Sequence, residues 1–417
     1  MSLDKLFGKE LSDAINEVEK QIDPIHRKIH EMALFHQNKV LTSYRTHQVS
    51  EQHLHGTNGY GYNDMGRDTL DDIFADVFGA EAGLVRTQII SGTHAISTAL
   101  FGVLRPGDDL LYITGEPYDT LQEVVGESGN GVGSLKEYQM GYKHVPLKEN
   151  GGVDFEEVEK HVTEKTKMFA IQRSRGYSSR KSFTIDQIEM MIKKVKAMKP
   201  DAVVFVDNCY GEFVEEKEPT EVGADLMAGS LIKNAGGGIA QNGGYIVGRE
   251  DLVEACAYRL TSPGVGREAG ATLDTLREMY QGFFLAPHVV GEALKGAVFA
   301  SALLARLNVA VSPTWDEKRT DLIQSISLGN QEDMVRFVQT VQKYSPVDAH
   351  VTPIPSYMPG YEDDVIMAAG AFVQGATSEL SADGPIRAPY TLFLQGGLTY
   401  EHVKLAVAFA AKELYFD

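Results

Sequence analysis

Ala224-Asp-Leu-Met-Ala-Gly-Ser230-Leu-Ile-Lys233-Asn-Ala-Gly236-Gly237-Gly238 sets one lysine between an apolar run and a glycine triplet. Lysine is rarely buried without a partner or a task, and desolvation is expected to lower its pKa toward the nucleophilic amine. Glycines let a backbone approach a bulky ligand closely. The order excludes a P-loop, because Lys233 precedes the glycines and no Gly-Lys-Ser/Thr follows them. Nor does a strand-linked Gly-x-Gly-x-x-Gly mark a dinucleotide site.

Upstream, Val203-Val-Phe-Val-Asp207-Asn208 ends an apolar strand in a carboxylate, and in parallel α/β sheets ligands gather at the carboxyl ends of strands. A buried Asp needs a cationic partner, and a protonated pyridine nitrogen serves as well as a lysine; the plainer reading is a turn residue capping Asn208–Gly211. Farther upstream, Leu84–Ile90 leads through Ser91-Gly92-Thr93 into the helical run Ile96–Leu104. Such a turn leaves backbone N–H groups free to cup a phosphate, although Ser91 or Thr93 could simply cap the helix. Tyr118, just beyond another apolar run, falls where an aromatic ring could stack on a pyridine. A phosphate cup, then a strand-end Asp, then a lysine is the order needed to grip pyridoxal 5'-phosphate (PLP) by its phosphate, ring nitrogen and aldehyde, with Lys233 as the Schiff-base lysine.

Around these motifs, the apolar runs Leu84–Ile90, Leu110–Thr114, Met168–Gln172, Val203–Asp207 and Gly244–Val247 alternate with amphipathic stretches. That pattern predicts an α/β fold with a mostly parallel sheet covered on both faces. Two N-terminal helices, interrupted at Pro24, are expected within residues 1–56, a large ligand-binding domain over 57–285, and a connector helix at Gln281–Leu307 opening a smaller domain over 286–417. Lys and Arg total 39 against 58 Asp and Glu, a net charge of −19 that repels nucleic acid and anionic membranes. No signal-peptide pattern and no run of about 18 apolar residues is found, so no membrane span is expected. Cys209 and Cys256 are too few for a disulfide framework or a zinc cluster, and a cytoplasmic location is expected. His26 and His30 have helical spacing, but Arg27 stands where a metalloprotease has Glu, and His53 and His55 lack further ligands; no metal is assigned.

Longer strings carry a resemblance. Gly59-Tyr-Gly-Tyr-Asn-Asp-Met-Gly-Arg67-Asp, Ser91-Gly-Thr-His-Ala95, Ile171-Gln-Arg-Ser-Arg-Gly-Tyr177, Val206-Asp-Asn-Cys-Tyr-Gly-Glu-Phe213, Gly229-Ser-Leu-Ile-Lys-Asn234 and Gln395-Gly-Gly-Leu-Thr399 resemble the fold-type I PLP enzymes of the cystathionine/methionine gamma-lyase group over nearly the whole chain beyond residue 55. They are most similar to the bacterial aluminium-resistance, methionine gamma-lyase-like family. The resemblance implies a large domain with a seven-stranded sheet, a smaller α+β C-terminal domain, and a homodimer or homotetramer whose sites are shared between subunits. It also implies that Gly92, Thr93 and Ser230 bind the cofactor phosphate, that Tyr118 stacks, that Asp207 pairs with the ring nitrogen, and that Tyr60, Tyr62 and Arg67 reach the phosphate of a neighbouring subunit. Arg387 lies roughly where related enzymes hold the substrate α-carboxylate, with a surface ion pair as its alternative. Arg173 and Arg175 follow a strand end and are candidates for the PLP hydroxyl or a second acidic group.

The chain departs from the better-studied lyases at Ser230-Leu-Ile-Lys233, where those have Ser-x-Thr-Lys, at Arg173-Ser-Arg175-Gly-Tyr177, which replaces Pro-x-Asn-Pro, and at Asp207-Asn-Cys209, which replaces Asp-Asn-Thr. The expected activity is β- or γ-elimination on a sulfur amino acid such as cystathionine, methionine or cysteine. A PLP aminotransferase or aldolase, or a PLP-carrying sensor without turnover, are the alternatives, because the cofactor alone does not select the reaction.

Overall fold

A computed structural model of the chain describes residues 3–359 and 361–416. Strands β1 (Ala82–Arg86), β2 (Asp109–Tyr112), β3 (Gly141–His144), β4 (Thr166–Gln172), β5 (Val203–Asp207), β6 (Leu226–Ser230) and β7 (Gly244–Gly248) form one sheet in the order β1-β7-β6-β5-β4-β2-β3. From β3 to β6 all neighbours are parallel, while β7 is antiparallel to both β6 and β1. The helices are α1 (Leu3–Phe7), α2 (Lys9–Thr46), α3 (Met65–Val77), α4 (Gly92–Val103), α5 (Gln122–Val125), α6 (Phe155–His161), α7 (Ile185–Met198), α8 (Glu250–Leu260), α9 (Leu276–Arg306), α10 (Gln331–Lys343) and α11 (Tyr400–Tyr415).

The apolar runs are continuous because both sheet faces are buried. Met168 and Ala170 of β4 join Ile96 and Leu100 of α4 and Cys256 of α8 in one core, whereas Phe169 and Ile171 join Ile188 and Val195 of α7 in another. Under β6 and β7, Met227, Tyr245 and Val247 pack on Leu70 and Phe74 of α3 and on Phe283 and Val290 of α9. Each fully buried side chain of this size contributes roughly 1.5–3 kcal/mol.

The C-terminal part builds a second sheet, wholly antiparallel, from β8 (Ala310–Ser312), β9 (Gln324–Ser327), β10 (Val365–Ala368), β11 (Ser381–Pro385) and β12 (Thr391–Gln395), in the order β10-β11-β12-β9-β8. Its core takes Phe337 and Val341 from α10, Val403 and Val407 from α11, and Leu11, Ile15, Val18 and Ile22 from α2.

Several expectations need correction. The N-terminal helix does not break at Pro24; α2 runs through it, and the break comes at Gly8, whose φ is +79°. The roughly 3 kcal/mol of a mid-helix proline is offset along α2 by packing against α9 and the C-terminal core. The first strand stops at Arg86, so 87–90 is a connecting segment, and the connector helix begins at Leu276, placing the expected 285/286 boundary inside it. β3 lies outside the expected runs because Gly141-Tyr-Lys-His144 is short, partly exposed and carries two polar residues in succession, Lys143 and His144. By length and composition α9 could cross a membrane, but 78% of its most apolar window is buried inside the protein, as befits a core helix.

Candidate active site

Five carboxyl-end segments of the large sheet meet in one pocket lined by Gly92, Thr93, Tyr118, Gln172, Asp207, Cys209, Tyr210 and Lys233, among others. Ser230 ends β6, and Lys233 follows in the turn, partly exposed to the pocket. Asp207 ends β5, buried, and its Oδ1 accepts the Cys209 N–H at 3.1 Å. Gly92 is the first residue of α4 and points the helix N-terminus at the same place: a Cβ there would lie 3.1 Å from Cys209 Sγ, 3.5 Å from Ser230 Cβ and 3.9 Å from Lys233 Nζ. Gly92, Asp207 and the Ser230–Lys233 segment, far apart in the chain, thus converge.

The hydroxyls divide. Ser91 Oγ accepts the His94 N–H at 3.0 Å, so it is the N-cap of α4, and Thr93 Oγ1 lies 2.6 Å from Thr120 Oγ1. Ser230 Oγ, by contrast, is buried without a hydrogen-bond partner among the described residues. An orphaned buried hydroxyl is costly unless a ligand completes it. That hydroxyl, the helix N-terminus, the space kept by Gly92, the carboxylate of Asp207 and the amine of Lys233 are the donor and acceptor set that PLP requires, so the residues present fit the cofactor.

Charge in the pocket differs from the sequence reading in one respect. Burial acts to depress Lys233, but Cys209, Tyr210, Asp207 and Glu212 around it outweigh this and hold its ammonium above the usual lysine range. Burial likewise raises the Asp207 carboxyl, with the Lys233 charge opposing it. Lysine and acid are therefore mutually compensating, and a ring nitrogen cation arriving beside Asp207 would take over part of that role.

Tyr118 lines the pocket, and its hydroxyl lies 2.7 Å from that of Tyr361. Tyr177 packs beside both rings, with centroids 5.9 Å from Tyr118 and 5.6 Å from Tyr361, and donates its hydroxyl to Asp383. Asp383, on β11, also accepts from Gln395 Nε2 at 3.0 Å, and burial pushes its carboxyl up to about 6. Tyr361 and Asp383 escaped the sequence reading: Tyr361 lies in a stretch without periodicity, and Asp383 alternates among small residues with no motif around it.

The arginines separate by role. Arg173 is fully buried and donates to Asn208 Oδ1 at 2.8 Å, with Glu215 at 3.3 Å and Glu218 at 3.4 Å. A guanidinium so committed is a structural ion pair rather than a substrate contact, which corrects its expected role. Arg175 donates to Ser325 Oγ at 2.8 Å and Ser312 Oγ at 3.0 Å and borders the wider cleft outside Tyr118. Arg387 stands on the rim of that cleft, half-exposed, paired with Asp363 at 3.0 Å. Arg67 is buried in its own chain, against Asp68 at 2.8 Å and the Gly61 carbonyl at 2.6 Å. Tyr60 and Tyr62 stack on each other at the surface, 77% and 57% exposed. Among the described residues, no group of three or more His, Cys, Asp or Glu side chains is arranged to hold a metal ion.

Comparison with known proteins shows the family. The family model described as Methionine gamma-lyase matches residues 11–415. "Uncharacterized protein YnbB" of Bacillus subtilis (strain 168) is 60% identical over 408 residues, 98% of this chain and 97% of that protein. Among solved structures, a Listeria monocytogenes protein provisionally named a cystathionine beta-lyase involved in aluminum resistance is 62% identical, with a TM-score of 0.95 over 96% of this chain and 99% of that one. A carbon-sulfur lyase involved in aluminum resistance from Clostridium novyi NT is 46% identical, with a TM-score of 0.92 over 96% of this chain and 95% of that one. The PLP-dependent protein YhfS of Escherichia coli, 17% identical with a TM-score of 0.61 over 91% of this chain and 95% of that one, shares the fold, which is that of the fold-type I PLP enzymes. On the match along residues 11–415 and the close likeness to these relatives, the chain belongs to the methionine gamma-lyase family.

Proposed function

We propose that the chain is a PLP-dependent carbon–sulfur lyase that cleaves a sulfur amino acid such as cystathionine, methionine or cysteine by β- or γ-elimination. The observation that carries this reading is the meeting of Lys233 Nζ, the Asp207 carboxylate and the unpartnered Ser230 Oγ around the space kept by Gly92. The printed names of the Listeria and Clostridium relatives point to the same bond.

When bound, PLP supplies a ring that stores the charge left by removal of the substrate α-proton. The chain's residues do the rest. Ser230 Oγ, Thr93 and the backbone at the start of α4 hold the phosphate, and Asp207 keeps a proton on the ring nitrogen. Tyr118 covers the ring. Lys233 would hold the cofactor covalently through Nζ, and that nitrogen would carry the substrate α-proton as general base. Arg387 takes the substrate carboxylate once it leaves Asp363, a charge-assisted and bidentate contact. The surface pair Tyr60 and Tyr62 extends toward a second copy of the chain, making the working unit a homo-oligomer with sites shared between subunits.

Product stoichiometry tests the reaction. Ammonia and a 2-oxo acid in equal amounts, together with a thiol or sulfide and without an added acceptor, are expected from at least one of the three amino acids. A 2-oxo acid formed only when a second keto acid is present would mean transamination and overturn the assignment.

A further inference from the structure

Beneath the pocket, on the other face of β6, lies an acid that the proposed reaction does not use. Glu212 is fully buried. Its Oε1 accepts the Tyr245 hydroxyl at 2.6 Å, and its Oε2 is buried without a partner among the described residues. Gly229, immediately before Ser230, exists as glycine for this pair: a Cβ there would lie 2.5 Å from Glu212 Oε1 and 2.6 Å from the Tyr245 hydroxyl. The Glu212 carbonyl accepts from Asn234 Nδ2 at 3.0 Å, which ties the acid to the residue next to Lys233, and Asn234 Oδ1 is itself buried and unpartnered.

A carboxyl in such a site has one strong donor and one bare oxygen, an arrangement that suits the neutral acid better than the anion. The ionisable groups facing it are Tyr245 from β7, Lys233 from the turn after β6, Cys209 after β5, and Glu218 from the following loop. Of these only Lys233 carries a positive charge, so the charge states of Glu212 and Lys233 are coupled, and each biases the other by the same amount.

We propose that Glu212 is a positioning residue for the lysine: by gaining or losing its own proton under β6 it sets the proton affinity of the Lys233 nitrogen, and so the pH range in which that nitrogen can act as a base. Burial pushes the Glu212 carboxyl up to about 8, with the Tyr245 hydroxyl opposing. Near neutrality it is then neutral and leaves Lys233 to Asp207; above that range it becomes an anion and holds a proton on Lys233 more tightly. This rests on the proposed cofactor for its spectroscopic readout, but not for the titration of Glu212 itself.

Two measurements on the full-length protein test it. Infrared difference spectra of wild type against Glu212→Gln are expected to show a protonated carboxyl at about pH 7 that is gone by about pH 10, present in wild type and missing in the variant. In protein loaded with PLP, the visible absorbance of wild type is expected to show a transition that follows the ionisation of Glu212 seen in the infrared. Glu212→Gln, with the same bound cofactor and melting temperature, should lack that transition, and Tyr245→Phe should move it upward by at least about half a pH unit, because the hydroxyl that favours the anion is gone. A transition that persists unchanged in Glu212→Gln, one that stays put or moves downward in Tyr245→Phe, or an ionised Glu212 at neutral pH, overturns the proposal. Failure to bind PLP would instead strike the proposed function, and the infrared result would still decide on Glu212.

Discussion

The Lys233 nitrogen lies 4.2 Å from the centre of the Tyr210 ring, and Tyr210 reaches that position through a left-handed backbone with φ of +69°. A side-chain-bearing residue in that region is strained, and such strain persists where surrounding contacts over-determine it. Here the ring aims the ammonium across the pocket. Tyr210→Leu is expected to lower kcat/KM by about 3–30-fold, the range set by a partly desolvated cation–π contact of ~0.5–2 kcal/mol. Tyr210→Phe, which keeps the ring, should stay within about twofold. Borohydride reduction should label Lys233 in all three proteins, and a label on another lysine would remove Lys233 from its assigned place.

Gly92→Ala probes the space for the cofactor. The added methyl meets Cys209 Sγ at 3.1 Å and Ser230 Cβ at 3.5 Å, contacts that the fold can absorb by small shifts but that narrow the phosphate cup. PLP affinity is expected to fall by at least about tenfold, or ~1.4 kcal/mol, while the cofactor-free protein melts within a few degrees of wild type. Equal affinity, measured by equilibrium titration, would place the phosphate elsewhere.

Arg173 should behave as a stability residue. Arg173→Met leaves Glu218 without its buried cation and Glu215 with Lys318 alone, and breaking such a buried pair costs about 3–5 kcal/mol. Urea denaturation should show this loss. A variant of normal stability with only a raised KM would restore Arg173 as a substrate contact.

Arg387 should behave in the opposite way. Removing it by Arg387→Ala is expected to raise KM by more than about tenfold with the fold intact. Because Asp363 competes for the same guanidinium at 3.0 Å, Asp363→Asn should lower KM, by no more than about fivefold given an exposed pair worth at most ~1 kcal/mol. An unchanged KM in Arg387→Ala would reduce the pair to a surface contact.

Acid stability should report on His36. Its Nε2 donates to the Glu215 carbonyl at 2.9 Å, its Nδ1 is buried without a partner among the described residues, and burial lowers its pKa to about 4. The unfolded chain takes up the proton below about 6.5 and the folded chain does not, so this contribution is present above 6.5 and is lost as pH falls toward 4, to a total of about 3 kcal/mol. Comparing wild type with His36→Asn by denaturant titration between those pH values should show a smaller loss in the variant. Parallel curves would remove His36 from the acid response.

The large sheet was legible because most of its strands are apolar without interruption and the candidate binding residues sit at strand ends, where spacing in sequence reports position in space. Asp207, Gly92 and Lys233 stand out that way, and Ser230 through the resemblance of Gly229–Asn234 to known lyases. What was not legible depends on pairing across distance. Arg173 looks like a binding residue until its partners Glu215 and Glu218, more than 40 positions away, are seen beside it. Tyr361 and Asp383 reach the site only because the antiparallel sheet is set against the pocket, which no local pattern encodes. Pro24 misled for the same reason, since tertiary packing overrode a local rule.

The N-terminal half of α2 is made long before most of the core it joins. Leu11, Ile15, Val18 and Ile22 join a core whose other walls come from α9, α10, α11 and the second sheet, the latest of them ending at Tyr415. During synthesis those four side chains have only the α9 wall of that core to bury against until the second sheet, α10 and α11 have followed. The large sheet can close on its own schedule, whereas the C-terminal core waits for α11, and until then α2 presents an apolar stripe to whatever binds nascent chains.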